Sequence, residues 1–395
     1  MTTITKKINY TSTHISKKLA QQTLEPNNLD TLDYVEFQSQ TGNPKIAFFE
    51  DRVAALEGGS EGLALPSFRE AVLLLFKSLL SEGDEVISYN SRDFYLQYSN
   101  KLSKTGIKIL LQHESTIKSL VQTITPATKV IFIETISKDD FDVPDFLKIV
   151  TIAKEFEIPV IVDNSAAFHS YFARPFFYGA DLIISRIDPL FSDSDTNIKS
   201  ILIDSGKYNW FNGKFAKLTS LGNGNNTDKN PSLISYLRER SGINNEKSTL
   251  PLEALNLLKT FEESIVKVQK YASASLDLAK VLHNKAGLEQ VNYLGLPNHR
   301  SHFKALTYLR NGFGNQISFS IAGGGRSYEI FAARLAQFNS PKKFKIKFDL
   351  ENQLVRIKIE NEDPQAIEKV IDAALSYVNN SVSYNENNIK DKVLV

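Results

Sequence analysis

Short apolar runs rich in β-branched residues alternate with helix-like stretches along the first half of the chain. Such runs, each bounded by polar or turn-forming residues, are typical of strands buried in an α/β sheet. They occupy residues 86–88, 107–111, 130–134, 159–163, 182–184 and 201–203. Helical spacing is found from residue 70 to 80 and from about 143 to 156. The alternation predicts a large, mostly parallel mixed sheet with helices on both faces.

The pattern changes after residue 250. Apolar residues keep a helical spacing from 251 to about 283, which predicts a helix that links two domains. Partial alternation at 316–321, 344–348 and 354–359 predicts an antiparallel sheet with one face in water, and a helix from 364 to about 378 to cover the other face. Residues 209–249, rich in Gly, Asn, Ser and Lys, are expected to be an irregular connection.

These patterns divide the chain into four parts. The predicted parts are an N-terminal arm (1–40), a large α/β domain (41–250), a smaller α+β C-terminal domain (251–378) and a flexible Asn-rich tail (379–395).

Composition narrows the function classes. The chain has 395 residues, with 46 Lys and Arg against 45 Asp and Glu and no dense basic cluster, so nucleic acid and anionic membranes are not expected as partners. The N-terminal stretch lacks the apolar core of a signal peptide and no run is long enough to span a bilayer, which predicts a cytoplasmic protein. The absence of cysteine excludes disulfides, thiolate metal ligands and thiol nucleophiles.

Two patterns resemble metal ligands, but neither predicts a metal site. His299 and His302 have a ligand-like spacing without a third ligand, and we expect them in a surface turn. Asp193 and Asp195 lie in a polar run that lacks the glycine and distal glutamate of an EF-hand, and we expect a solvated loop.

Several short motifs occur in the order found in one enzyme family. They are Thr41-Gly-Asn-Pro44, Ala54-Ala-Leu-Glu-Gly-Gly59, Glu134-Thr135, Val162-Asp163-Asn164, Arg174-Pro175 and Gly179-Ala-Asp181, followed by Val291-Asn-Tyr-Leu-Gly-Leu-Pro297 and Asn311-Gly-Phe-Gly314. Together they resemble the Cys/Met-metabolism enzymes that depend on pyridoxal phosphate (PLP), in particular the O-acetylhomoserine sulfhydrylase branch. The resemblance implies the aminotransferase-like PLP-dependent transferase fold (fold type I), a homodimer or homotetramer, and a role in sulfur amino-acid metabolism.

The cofactor lysine of that family is missing from the matching motif. The family's Ser-x-Thr-Lys aligns with Arg186-Ile187-Asp188-Pro189, so Pro189 stands where the lysine is expected. Lys199 cannot be moved into this position, because Gly179-Ala-Asp181 on one side and Ile203-Asp-Ser-Gly206 on the other hold the alignment. Proline has no amine for a Schiff base or for proton transfer. We therefore assign no catalytic residue and expect that PLP is not bound covalently.

The predicted phosphate site is also altered. The family's Ser-Gly-Met turn reads Ser67-Phe68-Arg69 here, which loses the close backbone approach of a glycine and adds a bulky ring. Asp188 replaces a phosphate-binding threonine, and we expect Arg69 or Arg186 to pair with it.

Groups that the family supplies across a subunit interface have changed as well. A Tyr and an Arg that act on the neighbouring subunit's phosphate align with Gln38 and Gln40. An Asn that contacts the ring hydroxyl aligns with Lys138. The aromatic that stacks on the ring is expected near 91–93, with Tyr89, Phe94 or Tyr95 as substitutes if the loop shifts.

Two family positions are retained. Asp163 matches the carboxylate that pairs with the pyridinium nitrogen; alternatively, it is a buried strand-end acid held by backbone N–H groups or by a nearby arginine. Arg356 matches the arginine that binds the substrate carboxylate; alternatively, it forms a salt bridge at a domain interface.

Two hypotheses follow. The first is a sulfhydrylase-like pseudoenzyme with a regulatory, binding or assembly role, either as a homo-oligomer or as a hetero-oligomer with an active homologue. The second is an active PLP-family enzyme, like the O-acetylhomoserine aminocarboxypropyltransferases, with a remodelled site. The nearby cationic groups for that enzyme are Lys138, Lys199, Arg186 and Arg69.

Overall fold

The computed structural model describes residues 44–112, 116–138, 140–187, 198–218, 232–241, 251–339, 344–360 and 362–393, without the side chains of 44–45, 251–256 and 380–393. Two compact units are present. The first comprises Met1–Thr135, Pro144–Ser165 and Arg174–Glu262, and the second comprises Ile136–Val143, Ala166–Ala173 and Glu263–Val395.

A seven-stranded sheet forms the centre of the first unit. Its strands are β1 (Glu61–Leu65), β2 (Glu85–Tyr89), β3 (Lys108–Gln112), β4 (Thr128–Glu134), β5 (Val160–Asp163), β6 (Leu182–Arg186) and β7 (Ser200–Asp204), in the order β1-β7-β6-β5-β4-β2-β3. Neighbours from β6 to β3 are parallel, whereas β7 is antiparallel to both β6 and β1. The prediction of a large, mostly parallel mixed sheet is confirmed.

Both faces of this sheet are buried. Val130 and Phe132 of β4 belong to one core cluster, and the alternate residues Ile131 and Ile133 are equally inaccessible to solvent. The sequence of such a strand is a continuous apolar run, because neither of its faces is exposed to solvent. This explains why the strands were visible in the sequence.

Six helices of the first unit accompany the sheet in the described part of the chain. They are α1 (Pro44–Glu57), α2 (Phe68–Leu79), α3 (Arg92–Ser103), α4 (Ile117–Thr123), α5 (Phe146–Glu155) and α6 (Leu233–Ser241). Helix α6 corrects the expectation of an irregular connection over 209–249. Its buried residues Leu233, Ile234 and Leu237 have helical spacing, but they fill little more than two turns among turn-forming residues.

The second unit is built on a four-stranded antiparallel sheet. Helices α7 (Pro251–His283), α8 (His302–Tyr308), α9 (Gly324–Phe338) and α10 (Pro364–Val393) accompany strands β8 (Leu288–Asn292), β9 (Gln316–Ile321), β10 (Lys345–Asp349) and β11 (Leu354–Lys358), in the order β10-β11-β9-β8. In β11, Val355 and Ile357 are buried while their neighbours are partly exposed, as the alternation predicted. The boundary between the two units falls within α7.

Helix α10 extends further than predicted. It continues to Val393, through residues that were expected to form a flexible tail. The segment is rich in asparagine but contains no glycine or proline after Pro364, so no residue terminates the helix. In the residues that the structure describes, no helix is long and apolar enough to cross a membrane.

Candidate functional site

Asp163 ends strand β5 and is almost completely buried, with 3% of its surface exposed. Its Oδ1 accepts a hydrogen bond from the backbone N–H of Ser165 at 2.9 Å and another from the Ser165 hydroxyl. Its Oδ2 lies 3.3 Å from Nη1 of Arg186. Both carboxylate oxygens are therefore engaged, by a backbone N–H and by an arginine, which are the partners named in the alternative interpretation of this residue.

Arg186 is the last residue of the neighbouring strand β6. The parallel register pairs Asp163 with Ile184, so Arg186 lies two residues beyond the acid's partner, at the same sheet edge. Its guanidinium carbon is 3.7 Å from the centre of the Phe68 ring, and 35% of its side chain is exposed. A planar cation in this position gains both the ion pair and contact with the π face of the ring.

Ser165 joins the two strand ends. Besides donating to Asp163, its hydroxyl oxygen accepts a hydrogen bond from the backbone N–H of Arg186 at 2.9 Å. The sequence interpretation missed this serine. Its signal was the spacing, because an aspartate often accepts the N–H of the residue two positions later.

The turn aligned with the family's phosphate site begins helix α2. The Ser67 hydroxyl accepts a hydrogen bond from the backbone N–H of Glu70 at 3.1 Å and so caps the helix. Phe68 is buried within the core cluster, with one ring face against Arg186. The Arg69 side chain is exposed.

Four positions of the predicted site lie outside the described residues: Gln38, Gln40, Asp188 and Pro189. The expected pairing of Asp188 with Arg69 or Arg186 therefore stays a prediction. What the structure does show is that Arg186 pairs with Asp163.

Lys199 lies at the same edge of the sheet. Its backbone N–H donates to the carbonyl of Leu65 at 3.0 Å, and its carbonyl accepts from the N–H of Ile187 at 3.0 Å. The side chain is exposed. These contacts place a lysine backbone beside the residue that follows Arg186, although its position in the sequence is ten residues from Pro189.

Arg356 belongs to the second unit. Its Nη2 lies 3.3 Å from Oδ2 of Asp349, and its Nη1 donates to the backbone carbonyl of Lys138. All three residues are in the second unit, so this ion pair is internal to the unit, and a salt bridge of Arg356 at a domain interface stays a prediction. Beside Lys138 lies a cavity of about 20 Å³, which has room for one water molecule.

Two further expectations are corrected by burial. Phe94, named as a substitute for the ring-stacking aromatic, is 3% exposed and stacks on Phe132 with ring centres 3.8 Å apart. His299, expected in a surface turn, is 8% exposed, and its Nδ1 accepts from the N–H of Ser301 at 3.1 Å. Burial lowers the pKa of His299. Both side chains are therefore parts of the packed interior.

The comparisons with known proteins identify the family. A mostly parallel seven-stranded sheet, followed by a smaller unit with an antiparallel sheet, is the architecture of fold-type I PLP-dependent transferases. Residues 1–340 match the family described as Cys/Met metabolism PLP-dependent enzyme, and the chain belongs to this family.

Similar proteins include a homocysteine/cysteine synthase and an O-acetyl-L-homoserine sulfhydrylase. The homocysteine/cysteine synthase of Saccharomyces cerevisiae is 31% identical over 298 residues, an alignment that covers 73% of this chain and 66% of that protein. The O-acetyl-L-homoserine sulfhydrylase of Leptospira meyeri is 26% identical over 316 residues, with 75% and 71% covered.

A solved structure is similar in fold. The O-acetylhomoserine (thiol)-lyase of Campylobacter jejuni, which carries a pyridoxyl-lysine phosphate, has a TM-score of 0.72 and 23% identity, with 85% of this chain and 87% of that chain covered. At this identity the likeness concerns the fold.

The described residues do not fit the cofactor that is typical of the family. A pyridinium N–H directed at Asp163 would have to share the carboxylate with Ser165 and Arg186, which already donate to Oδ1 and Oδ2. The ring would also need open space beside the acid, where the guanidinium of Arg186 lies over Phe68. A second cation next to Arg186 would be repelled by it.

Proposed function

We propose that this chain is a sulfhydrylase-like member of its family that no longer performs PLP chemistry and has a regulatory, binding or assembly role. The observation that carries the proposal is the ion pair of Asp163 with Arg186. The acid aligned with the family's pyridinium partner is buried and already neutralised by a cation of the same chain.

The energetics of the ion pair support this proposal. Admitting a cationic ring would separate Arg186 from Asp163 and leave one of them without its partner. Removing one partner of a fully buried ion pair costs about 3–5 kcal/mol. The cost is smaller here, because Arg186 is partly exposed and solvent screens the pair. The sequence adds that Pro189 aligns with the family's lysine.

A second candidate function is an active enzyme of sulfur amino-acid metabolism that works with a remodelled site. One observation favours it: the backbone of Lys199 is hydrogen-bonded to Ile187, close in space to the end of β6. In this alternative, the exposed Lys199 amine takes the role of the missing lysine.

One experiment separates the two functions. Purified protein is mixed with PLP, its visible absorbance is recorded, and borohydride is added before peptide mapping. We expect no imine band and no specific lysine adduct. A trapped adduct on Lys199 that disappears in Lys199→Ala would establish the second function, and an active sulfhydrylase treated in parallel serves as the positive control.

The partners form part of the same proposal. We propose a homodimer or homotetramer, or a hetero-oligomer with an active homologue, in the cytoplasm. Native mass measurement and cell fractionation test these points, and co-purification with a tagged homologue tests the hetero-oligomer. A monomer that binds no homologue would contradict the assembly role.

A further inference from the structure

We infer that Arg186 acts as a built-in ligand, which closes a pocket for a flat cation at the end of strands β5 and β6. The inference rests on the proposed function, since it assumes that no PLP competes for the site in the native protein. Beyond the proposed function, the inference specifies which ligands the site binds when the arginine side chain is removed: planar cations that can donate a hydrogen bond.

The contacts of the guanidinium define that class. Asp163 supplies a buried carboxylate at 3.3 Å, and Phe68 supplies an aromatic face at 3.7 Å. A carboxylate at the edge and a ring on the face select a cation that is both flat and able to donate in its own plane. An ammonium group satisfies the charge but has no flat face.

The pocket is held in shape independently of the arginine side chain. Ser165 binds Asp163 through its N–H and its hydroxyl, and its hydroxyl oxygen accepts the backbone N–H of residue 186. These contacts involve no atom of the Arg186 side chain, only its backbone N–H. Phe68 is packed in the core cluster. Truncation at position 186 should therefore leave the carboxylate and the ring in place.

Arg238 offers a matched comparison within the same unit. Its guanidinium pairs with buried Glu50 at 2.8 Å and also donates to the carbonyl of Gly62 at 3.1 Å. No ring face is described against it, in the part of the chain that the structure covers. A cavity left by Arg238 would thus offer a carboxylate without an aromatic platform.

The test uses Arg186→Ser in the full-length protein, with three probes: ethylguanidinium, pyridoxine and ethylammonium. We expect the variant to have a lower melting temperature than the wild type. Millimolar ethylguanidinium should restore a large part of that loss, whereas ethylammonium, with the same charge and no flat face, should not. Pyridoxine, whose ring nitrogen can be protonated, should bind the variant about tenfold more tightly than the wild type by calorimetry.

Two further variants locate the binding. Asp163→Asn combined with Arg186→Ser should lose the response to both flat probes, and Arg238→Ala should show no binding of pyridoxine. Equal rescue by ethylammonium, or pyridoxine binding that survives in the double variant, would overturn the inference. If Arg186→Ser does not fold, soluble yield in cultures supplemented with ethylguanidinium replaces the melting temperature. Absence of rescue there also counts against the pocket.

The outcomes separate the inference from the function on which it rests. A lysine adduct trapped in the wild-type protein contradicts the loss of PLP chemistry, whatever the variants do. An Arg186→Ser protein that binds no flat cation contradicts only the built-in ligand.

Discussion

Arg356 of strand β11 and Asp349 of strand β10 form an ion pair of 3.3 Å within the second unit. Burial raises the pKa of Asp349, but hydrogen bonds from Asn352 and the charge and hydrogen bond of Arg356 outweigh it, so the pKa lies below its usual value. The arginine aligned with the family's substrate-binding residue therefore has a structural partner of its own.

Replacing Arg356 by Gln should weaken the second unit at neutral pH. Asp349 has a lowered pKa in the folded state, so its contribution to stability is present above its unfolded pKa of 3.8 and is lost as the pH falls through the folded value. We expect a loss of about 0.5–1 kcal/mol at neutral pH, which shrinks in acid, by urea unfolding. A double-mutant cycle with Asp349→Asn checks the pair, and additive effects would contradict the coupling.

Loss of Arg238 should be much more damaging. Glu50 is 1% exposed, and burial raises its pKa although Arg238 opposes that effect. Arg238→Leu leaves this carboxylate buried without its cation, and we expect a loss of about 3–5 kcal/mol in the free energy of unfolding. Glu50→Gln combined with Arg238→Leu should be less destabilised than Arg238→Leu alone. The reverse order would contradict the ion-pair explanation.

Asp181 should make stability depend on pH in the opposite sense to Asp349. Burial raises its pKa from 3.8 to about 6, so its favourable contribution is complete below 3.8 and is lost as the pH rises through about 6. The free energy of unfolding of Asp181→Asn, relative to that of the wild type, should therefore rise by about 2 kcal/mol from pH 4 to pH 7, as measured by urea unfolding. Glu82→Gln, at an exposed position, is the control and should show no such trend.

Alanine substitutions at two glycines distinguish the cost of backbone strain from the cost of steric overlap. Gly179 and Gly58 both have positive φ, +94° and +83°, but a Cβ at Gly179 would lie 2.8 Å from Cγ1 of Val150, whereas Gly58 has open space. Gly58→Ala should cost about 1 kcal/mol, and Gly179→Ala about 2–4 kcal/mol, by urea unfolding. Equal costs would contradict the packing argument at Gly179.

Ser67 should act as a helix cap rather than as a phosphate ligand. Its hydroxyl accepts the N–H of Glu70 at the start of α2, so Ser67→Ala should lower the free energy of unfolding by about 1 kcal/mol. The same variant should leave the response to PLP unchanged in spectroscopic titration. Thr116→Ala, which removes the cap of α4, is the matched control for the stability change.

The strands were predictable because a strand that is buried on both faces has an uninterrupted run of apolar residues in the sequence. The runs that became β4 to β7 consist mainly of residues that are fully buried in the sheet. The short helix α6 and the extension of α10 were not predictable in the same way. Local composition around them favours turns, whereas helix formation depends on packing and on the absence of a terminating residue.

The sequence identified Asp163 and Arg186 as site residues and named a nearby arginine as one alternative partner of the acid, but it did not identify Ser165. Arg69 or Arg186 was also expected to pair with Asp188, which lies outside the described residues, so that pairing stays a prediction. The contact between Arg186 and Asp163 depends on the register of β5 against β6, and the hydrophobic pattern does not specify this register because both faces of these strands are apolar. The burial of His299 depends in the same way on segments that are distant in sequence.

The hydroxyl of Ser165 also bears on how the lineage of this chain can change. It holds Asp163 and the backbone of Arg186 together, so the acid and the arginine form one unit before any lysine is considered. Under the proposed function, changing Pro189 to lysine alone would supply an amine, while Asp163 would still be paired with Arg186. On that proposal, recovery of PLP chemistry would also require a change that separates Arg186 from Asp163, so a single substitution would not be enough.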